Sequence, residues 1–174
     1  MRRRRRELYI APACEAALIL VVSLAAWLSH QPLIFASLGP TAFEQIETPL
    51  RPSARPYNVV VGHLIAVLAG FAALFLTHAW TSPAVSPHHV TLSRVEAAVL
   101  SSALTVLGTL LARATQPAAT ATTLLISLGL MQTWQDGVYI MLAVLLMTVV
   151  GEPLRRWRAR EHGGLDTPTH RRHS

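Results

Sequence analysis

Apolar residues fall into six blocks along this chain, four long and two short. Residues 11–29 (APACEAALILVVSLAAWLS) are apolar almost throughout. As a helix they would be about 28 Å long, close to the hydrocarbon core of a bilayer. Residues 58–78 (NVVVGHLIAVLAGFAALFLTH), 95–112 and 138–150, the last extending to about residue 154, have the same character. The short blocks lie between them. Residues 34–43 read IFASLGPTAF, and residues 116–130 read QPAATATTLLISLGL. The first belongs to an apolar stretch, 33–43, that would make a helix of only about 17 Å. Each short block contains a proline. Paired, interrupted apolar segments at matching places in two halves point to a substrate site in a repeat-built transporter.

The polar punctuation predicts the boundaries. Gly39-Pro40 interrupts the first short block, with Glu44 and Glu47 after it. LRPSARP (50–56) is a proline-rich turn, and residues 79–93, with two prolines, form a loop. Asn58 is placed to cap the second long helix. Ser93 is placed to cap the third, with Glu96 in its first turn. Residues 132–137 form a polar turn. The expected class is an all-α, polytopic membrane protein with two helix–broken-helix–helix repeats: four full spans plus two short or re-entrant proline-broken segments. The organisation is residues 1–10 as a basic cytoplasmic N-terminus, 11–154 as the membrane domain (repeats 11–78 and 95–154), and 155–174 as a basic, disordered cytoplasmic tail. Gly62, Ala66, Ala69, Gly70 and Ala73 form a small-residue stripe suited to close helix approach, including assembly of a homo-oligomer.

Charge then chooses between layouts. The 174 residues carry a net charge of +6, and only 14% are charged. Arginines cluster at residues 2–6 and at 155, 156, 158 and 160, with two more at 171 and 172. If both short blocks cross the membrane, fourteen arginines lie on the cytoplasmic side and only Arg94 lies opposite. If both are re-entrant, the split is twelve to three. The positive-inside rule favours six passages, which makes the halves an inverted repeat. Both layouts put the termini in the cytoplasm of an inner-membrane protein. The basic flanks suit anionic lipid headgroups rather than nucleic acid, which would call for a basic folded face with stacking aromatics. The opening arginines and apolar run resemble a signal peptide, but no cleavage pattern follows, so a retained helix is expected. The lone Cys14 is expected to be a buried, inert thiol.

The two broken segments are the candidate site. A proline removes a backbone donor, and the freed polar groups are tolerated only inside protein or beside a watery cavity. Half-helices starting within the membrane would aim positive dipole ends at that cavity. Pro40-Thr41 and the 117–122 segment are the predicted starts. Ser37, Thr41, Thr120 and Thr122 would supply hydroxyls, Gln116 an amide, and Gly39 and Pro117 the backbone shape. A small anion fits, as does a neutral solute; kinks at a helix crossing are the plain structural alternative. His63, Glu15 and Asn58 are candidates for a polar or proton relay, with Glu15 as a partner for His63. His30, His78, His88 and His89 match no metal-ligand spacing. There is no G-x-S-x-G, no H-E-x-x-H and no phosphate-cradling glycine loop, so neither an enzyme nor a cofactor is expected.

Three stretches carry a resemblance: SLGPTA (37–42), PYNVVVGH (56–63) and QPAATAT (116–122). They resemble the signature segments of the HPP family of small integral membrane proteins, over roughly residues 12–155. The resemblance implies a four-span membrane fold and, since some members in cyanobacteria and chloroplasts are implicated in nitrite transport, a small-anion transporter. The naming His-Pro-Pro triplet falls here on Gln116, Pro117 and Ala118, and the glycine that follows is replaced by Thr120. The reading is a transporter or channel for a small solute such as nitrite. The alternative is a non-transporting scaffold or subunit that assembles through small-residue helix faces.

Overall fold

A computed structural model describes residues 2–163, with side chains from Glu7 to His162. It contains α1 (Arg2–Ser29), α2 (Leu38–Glu47), α3 (Pro56–Leu76), α4 (Leu92–Leu111), α5 (Pro117–Ser127) and α6 (Trp134–Gly163), and no strand among the described residues. Four of these helices, α1, α3, α4 and α6, are long and apolar enough to cross a membrane. α2 and α5, at about 15 and 16 Å, are too short to cross unaided.

The short helices nevertheless belong to full passages. Glu7, near the start of α1, and Glu47, at the end of α2, both meet Arg158 near the end of α6. The Pro49 carbonyl accepts a hydrogen bond from Arg155 at 2.8 Å. The 48–55 turn therefore lies at the same end of the bundle as the start of α1 and the end of α6. Tyr57 donates to the Ala112 carbonyl at 3.0 Å, which brings the turn after α4 to that end as well. At the far end, Phe71, Trp80 and Trp134 stack, with ring centroids 4.5–6.0 Å apart. The Val85 amide there bonds the Leu128 carbonyl at 2.9 Å. The chain traverses the bundle six times, α1 to α6 alternating in direction. The second half runs opposite to the first.

The prolines of the short blocks mark helix starts, as expected. Pro117 opens α5 as its first residue, and Pro40 sits in the first turn of α2. Those positions have no intrahelical N–H partner to lose. Non-helical chain precedes each short helix, residues 30–37 before α2 and 112–116 before α5. Pro12 and Pro153 lie inside α1 and α6 without ending them. The expected disordered tail is therefore helical as far as Gly163, and residues 164–174 lie outside the described region. Two expected caps also move. Arg55 precedes α3 and Thr91 precedes α4, so Asn58 and Ser93 lie inside their helices, and Glu96 falls beyond the first turn and is exposed.

α3 occupies the centre. Its Gly62 backs onto Gln116, its Gly70 onto Ile126, and its Ile65 onto Gly108 of α4; a Cβ added at any of the three glycines would come within 3 Å of the neighbour. The whole small-residue stripe of α3 is buried inside the chain. It brings α4 and α5 close rather than a second copy, since without a hydrophobic force between helices in lipid such close packing is what holds them. Cys14 is half-buried rather than buried.

Candidate functional site

The two broken helices run antiparallel and touch. Ser37, the N-cap of α2, meets Thr122 of α5 at 2.7 Å, hydroxyl to hydroxyl. Thr41, one turn into α2, donates to the Ser37 carbonyl at 2.8 Å and lies 3.4 Å from His63 Nε2 on α3. His63 Nδ1 is 2.8 Å from the Val59 carbonyl, which can only accept, so that nitrogen carries the proton. Ser37, Thr41, His63 and Thr122 are all fully buried. Four of the expected residues, three hydroxyls and a histidine, are thus one connected polar chain where α2, α3 and α5 meet.

Other expected residues sit around it. Pro40 and Pro117 face each other across a cleft between α2 and α5. Gly39 has open space beside it: a Cβ there would meet nothing within 4 Å. Gln116, the N-cap of α5, is 3% exposed, and neither of its amide atoms has a hydrogen-bond partner. Thr120 is half-exposed and stands apart from the Ser37–Thr122 contact. Asn58 donates to the Thr115 carbonyl at 3.1 Å and so holds the extended chain that leads into α5. Glu15 is not the partner of His63, whose ring nitrogens meet Val59 and Thr41 instead. His30, His78, His88 and His89 are exposed.

Two arginines complete the arrangement, and the sequence reading had placed neither in it. Arg94 is fully buried at the start of α4. Its Nη1 donates to the Ser127 carbonyl, the last of α5, at 3.1 Å. Its remaining donors reach the Pro83 and Ser82 carbonyls and Gln132 Oε1, at 3.1, 2.5 and 2.7 Å. Arg158 is also fully buried, and its Nε donates to the Ile46 carbonyl in the last turn of α2 at 3.1 Å. Its Nη1 lies 2.8 Å from Glu7, with Glu47 and Glu161 at 3.7 and 3.8 Å. Each broken helix therefore ends on a buried guanidinium, where a cation complements the negative end of the helix dipole. α2 begins in the interior, at the Ser37–Thr122 crossing, whereas α5 begins nearer the basic end, with Glu44 beside its N-cap Gln116. A warning sign was present in the sequence: an arginine at a helix start opposes that helix's dipole, so Arg94 needed a partner from elsewhere. Arg158 had been assigned with its neighbours to lipid headgroups; of that cluster only Arg156 and Arg160 remain exposed, Arg155 being held by Glu152 at 2.6 Å.

No curated protein and no solved structure matches the chain. One family does, the one described as HPP, transmembrane region, over residues 2–161. That match covers nearly all of the bundle, including both broken helices and both arginine clamps, and the chain belongs to the HPP transmembrane family.

Proposed function

We propose that this protein is a membrane transporter or channel for a small solute, with a small anion such as nitrite as the favoured class. One observation carries the reading. Two oppositely directed broken helices touch where α2 begins, at Ser37, against the middle of α5, at Thr122, and each is anchored at its C-terminal end by a buried arginine. The start of α2 presents a positive dipole end and hydroxyl donors at this crossing, which suits a small anion without a buried cation beside it. The inverted order of the halves suits alternating access, since moving one half against the other exposes the crossing to opposite ends. We place the protein in an inner membrane with the basic end, and so both termini, in the cytoplasm, on the arginine asymmetry.

The test is flux into proteoliposomes. Nitrite, nitrate, formate and a neutral control are compared with and without a pH gradient. Uptake of an anion above the neutral control supports the reading. No uptake of any solute by monodisperse, folded protein sinks it. A non-transporting membrane subunit is the second reading, and one observation favours it: the Ser37 and Thr122 hydroxyls already pair with each other, and the Thr41 hydroxyl donates to the Ser37 carbonyl.

A further inference from the structure

The apolar length of α6 and its exposed arginines meet at one recess. Residues 134–153 of this helix cover about 30 Å, the depth of a hydrocarbon core. Thr148 and Val149 therefore lie within the apolar layer, and Arg156, Trp157 and Arg160 just beyond it, at the level of lipid headgroups. All five line a single cavity of 570 Å3, bordered on its other side by Pro56 at the start of α3. That volume falls in the range of small-molecule sites, about 300–1,000 Å3. Arg156 and Arg160 stand four residues apart, on one face of α6, and both are exposed. The carboxylate in the wall, Glu152, is held by Arg155 and by Arg156, each at 2.6 Å. Three arginines stand against that one carboxylate, so positive charge is in excess.

We propose that this recess holds one anionic phospholipid of the basic-end leaflet, its phosphate between the Arg156 and Arg160 guanidinium groups, its glycerol backbone beside Trp157, and one acyl chain entering past Thr148 and Val149. The inference is independent of the transport reading. A basic fringe alone attracts anionic lipid diffusely and fixes none in place. Here charge and an apolar slot share one wall. A planar guanidinium meets phosphate oxygens through paired N–H donors. Trp157 is 40% exposed, at the depth where an indole with an apolar ring and a polar N–H is best placed. Towards the far end the recess continues as an apolar stripe. Val149, Leu145, Leu142 and Val138 are all exposed, and their spacings of four, three and four residues put them on one face. The stripe is about 17 Å long, close to the hydrocarbon depth of one leaflet.

The neighbouring charges leave this pair of arginines to the lipid. Arg158 is buried on another side of α6, among Glu7, Glu47 and Glu161. Arg155 is held by Glu152 and by the Pro49 carbonyl. When a phosphate takes Arg156, Glu152 keeps Arg155 as its partner, so no carboxylate is stranded. A choline headgroup brings a cation of its own to a wall already in positive excess and is held less well. A soluble phosphate uses the arginines alone and leaves the apolar half of the recess unfilled.

Native mass spectrometry of the full-length protein, delipidated in a non-ionic detergent, decides it. Phosphatidylglycerol and phosphatidylcholine with the same acyl chains are titrated separately. Saturation at one phosphatidylglycerol per chain is expected, with phosphatidylcholine bound about tenfold more weakly. An arginine beside an anionic headgroup is worth about fivefold in affinity, so Arg156→Gln combined with Arg160→Gln should weaken phosphatidylglycerol by about twentyfold. Arg51→Gln combined with Arg55→Gln removes two exposed arginines from the same end and should change it by less than about twofold. Val149→Trp keeps every charge, fills the slot and should weaken binding about tenfold. Excess glycerol 3-phosphate should not displace the lipid. Equal binding of the two lipids overturns the inference, and so does displacement by glycerol 3-phosphate, which would mark a soluble-phosphate site. Equal losses in the two double variants also overturn it, since they would mean diffuse charge, as does full binding by Val149→Trp. All the substituted side chains are exposed; should a variant nevertheless misfold, the two lipids and glycerol 3-phosphate on the unsubstituted protein decide alone.

Discussion

α2 and α5 are counterparts in the two halves, and they are finished by different chemistry. α5 ends on Leu128 followed by Gly129, whose φ is +84°. The Gly129 amide bonds the Ile126 carbonyl at 2.9 Å and the Leu130 amide bonds that of Leu125 at 3.0 Å. This is a Schellman close, and glycine takes the left-handed position without steric cost. α2 ends on Thr48, whose amide and hydroxyl both reach the Glu44 carbonyl at 3.1 Å, with Pro49 barring continuation. The arginines differ in the same way. Arg94 is satisfied by three carbonyls and an amide oxygen, with no carboxylate among its hydrogen bonds. Arg158 is held mainly by carboxylates that are 27–38% exposed. The lesson is that an inverted repeat can preserve a function, a cation on each half-helix end, while exchanging every residue that performs it. Hydropathy shows such a repeat where identity does not.

The comparison predicts unequal losses. Arg94→Met strands the Ser82, Pro83 and Ser127 carbonyls at once and should cost on the order of 4 kcal/mol. Arg158→Met frees carboxylates that water can reach, so its cost should be nearer 2 kcal/mol. Denaturant unfolding of the two variants in the same detergent checks the order. A larger loss for Arg158→Met would mean that the ion cluster, not the carbonyl cage, is the stronger anchor. The helix closures sharpen the contrast. Gly129→Ala forces a left-handed alanine and brings its Cβ 2.5 Å from Arg94 Nη2, for a loss of about 3 kcal/mol. Thr48→Ala, which loses one hydroxyl bond, should cost only about 0.5–1 kcal/mol. Thermal melting should rank them in that order, and equal shifts would refute the claim that the two ends are closed differently. The smallest effect belongs to the crossing itself. Ser37→Ala and Thr122→Val should each cost about 1 kcal/mol, and a double-mutant cycle should show coupling, because either change removes the same bond. Strict additivity would mean that the halves do not hold each other there.

Much of this architecture was legible in the chain. Four long apolar runs are enough to give the four long helices, since length and hydropathy are read independently of packing. The paired breaks brought Ser37, Thr41 and Thr122 together as expected, because prolines near a helix start fix where the half-helix begins. Three things stayed hidden for one reason, that their partners are remote in sequence. The Asn58 side chain serves the Thr115 carbonyl rather than a cap, the α3 stripe faces α5 rather than a second copy, and Arg158 reaches the carbonyl of Ile46. The length of α6 stayed hidden for another reason: a proline's lost donor ends a weak helix, but α6 packs against α1, α2 and α3 and runs through Pro153.

The alternation of the six passages has an electrical consequence. Peptide dipoles of α1, α3 and α5 oppose those of α2, α4 and α6, and the two half-helices are nearly matched at 10 and 11 residues. Along the bundle axis their moments largely cancel. A membrane voltage therefore pulls the two half-helices in opposite senses and exerts little net force on the pair. Among the described residues, the fully buried charges left for such a field to act on are the guanidinium groups of Arg94 and Arg158, one towards each end of the bundle.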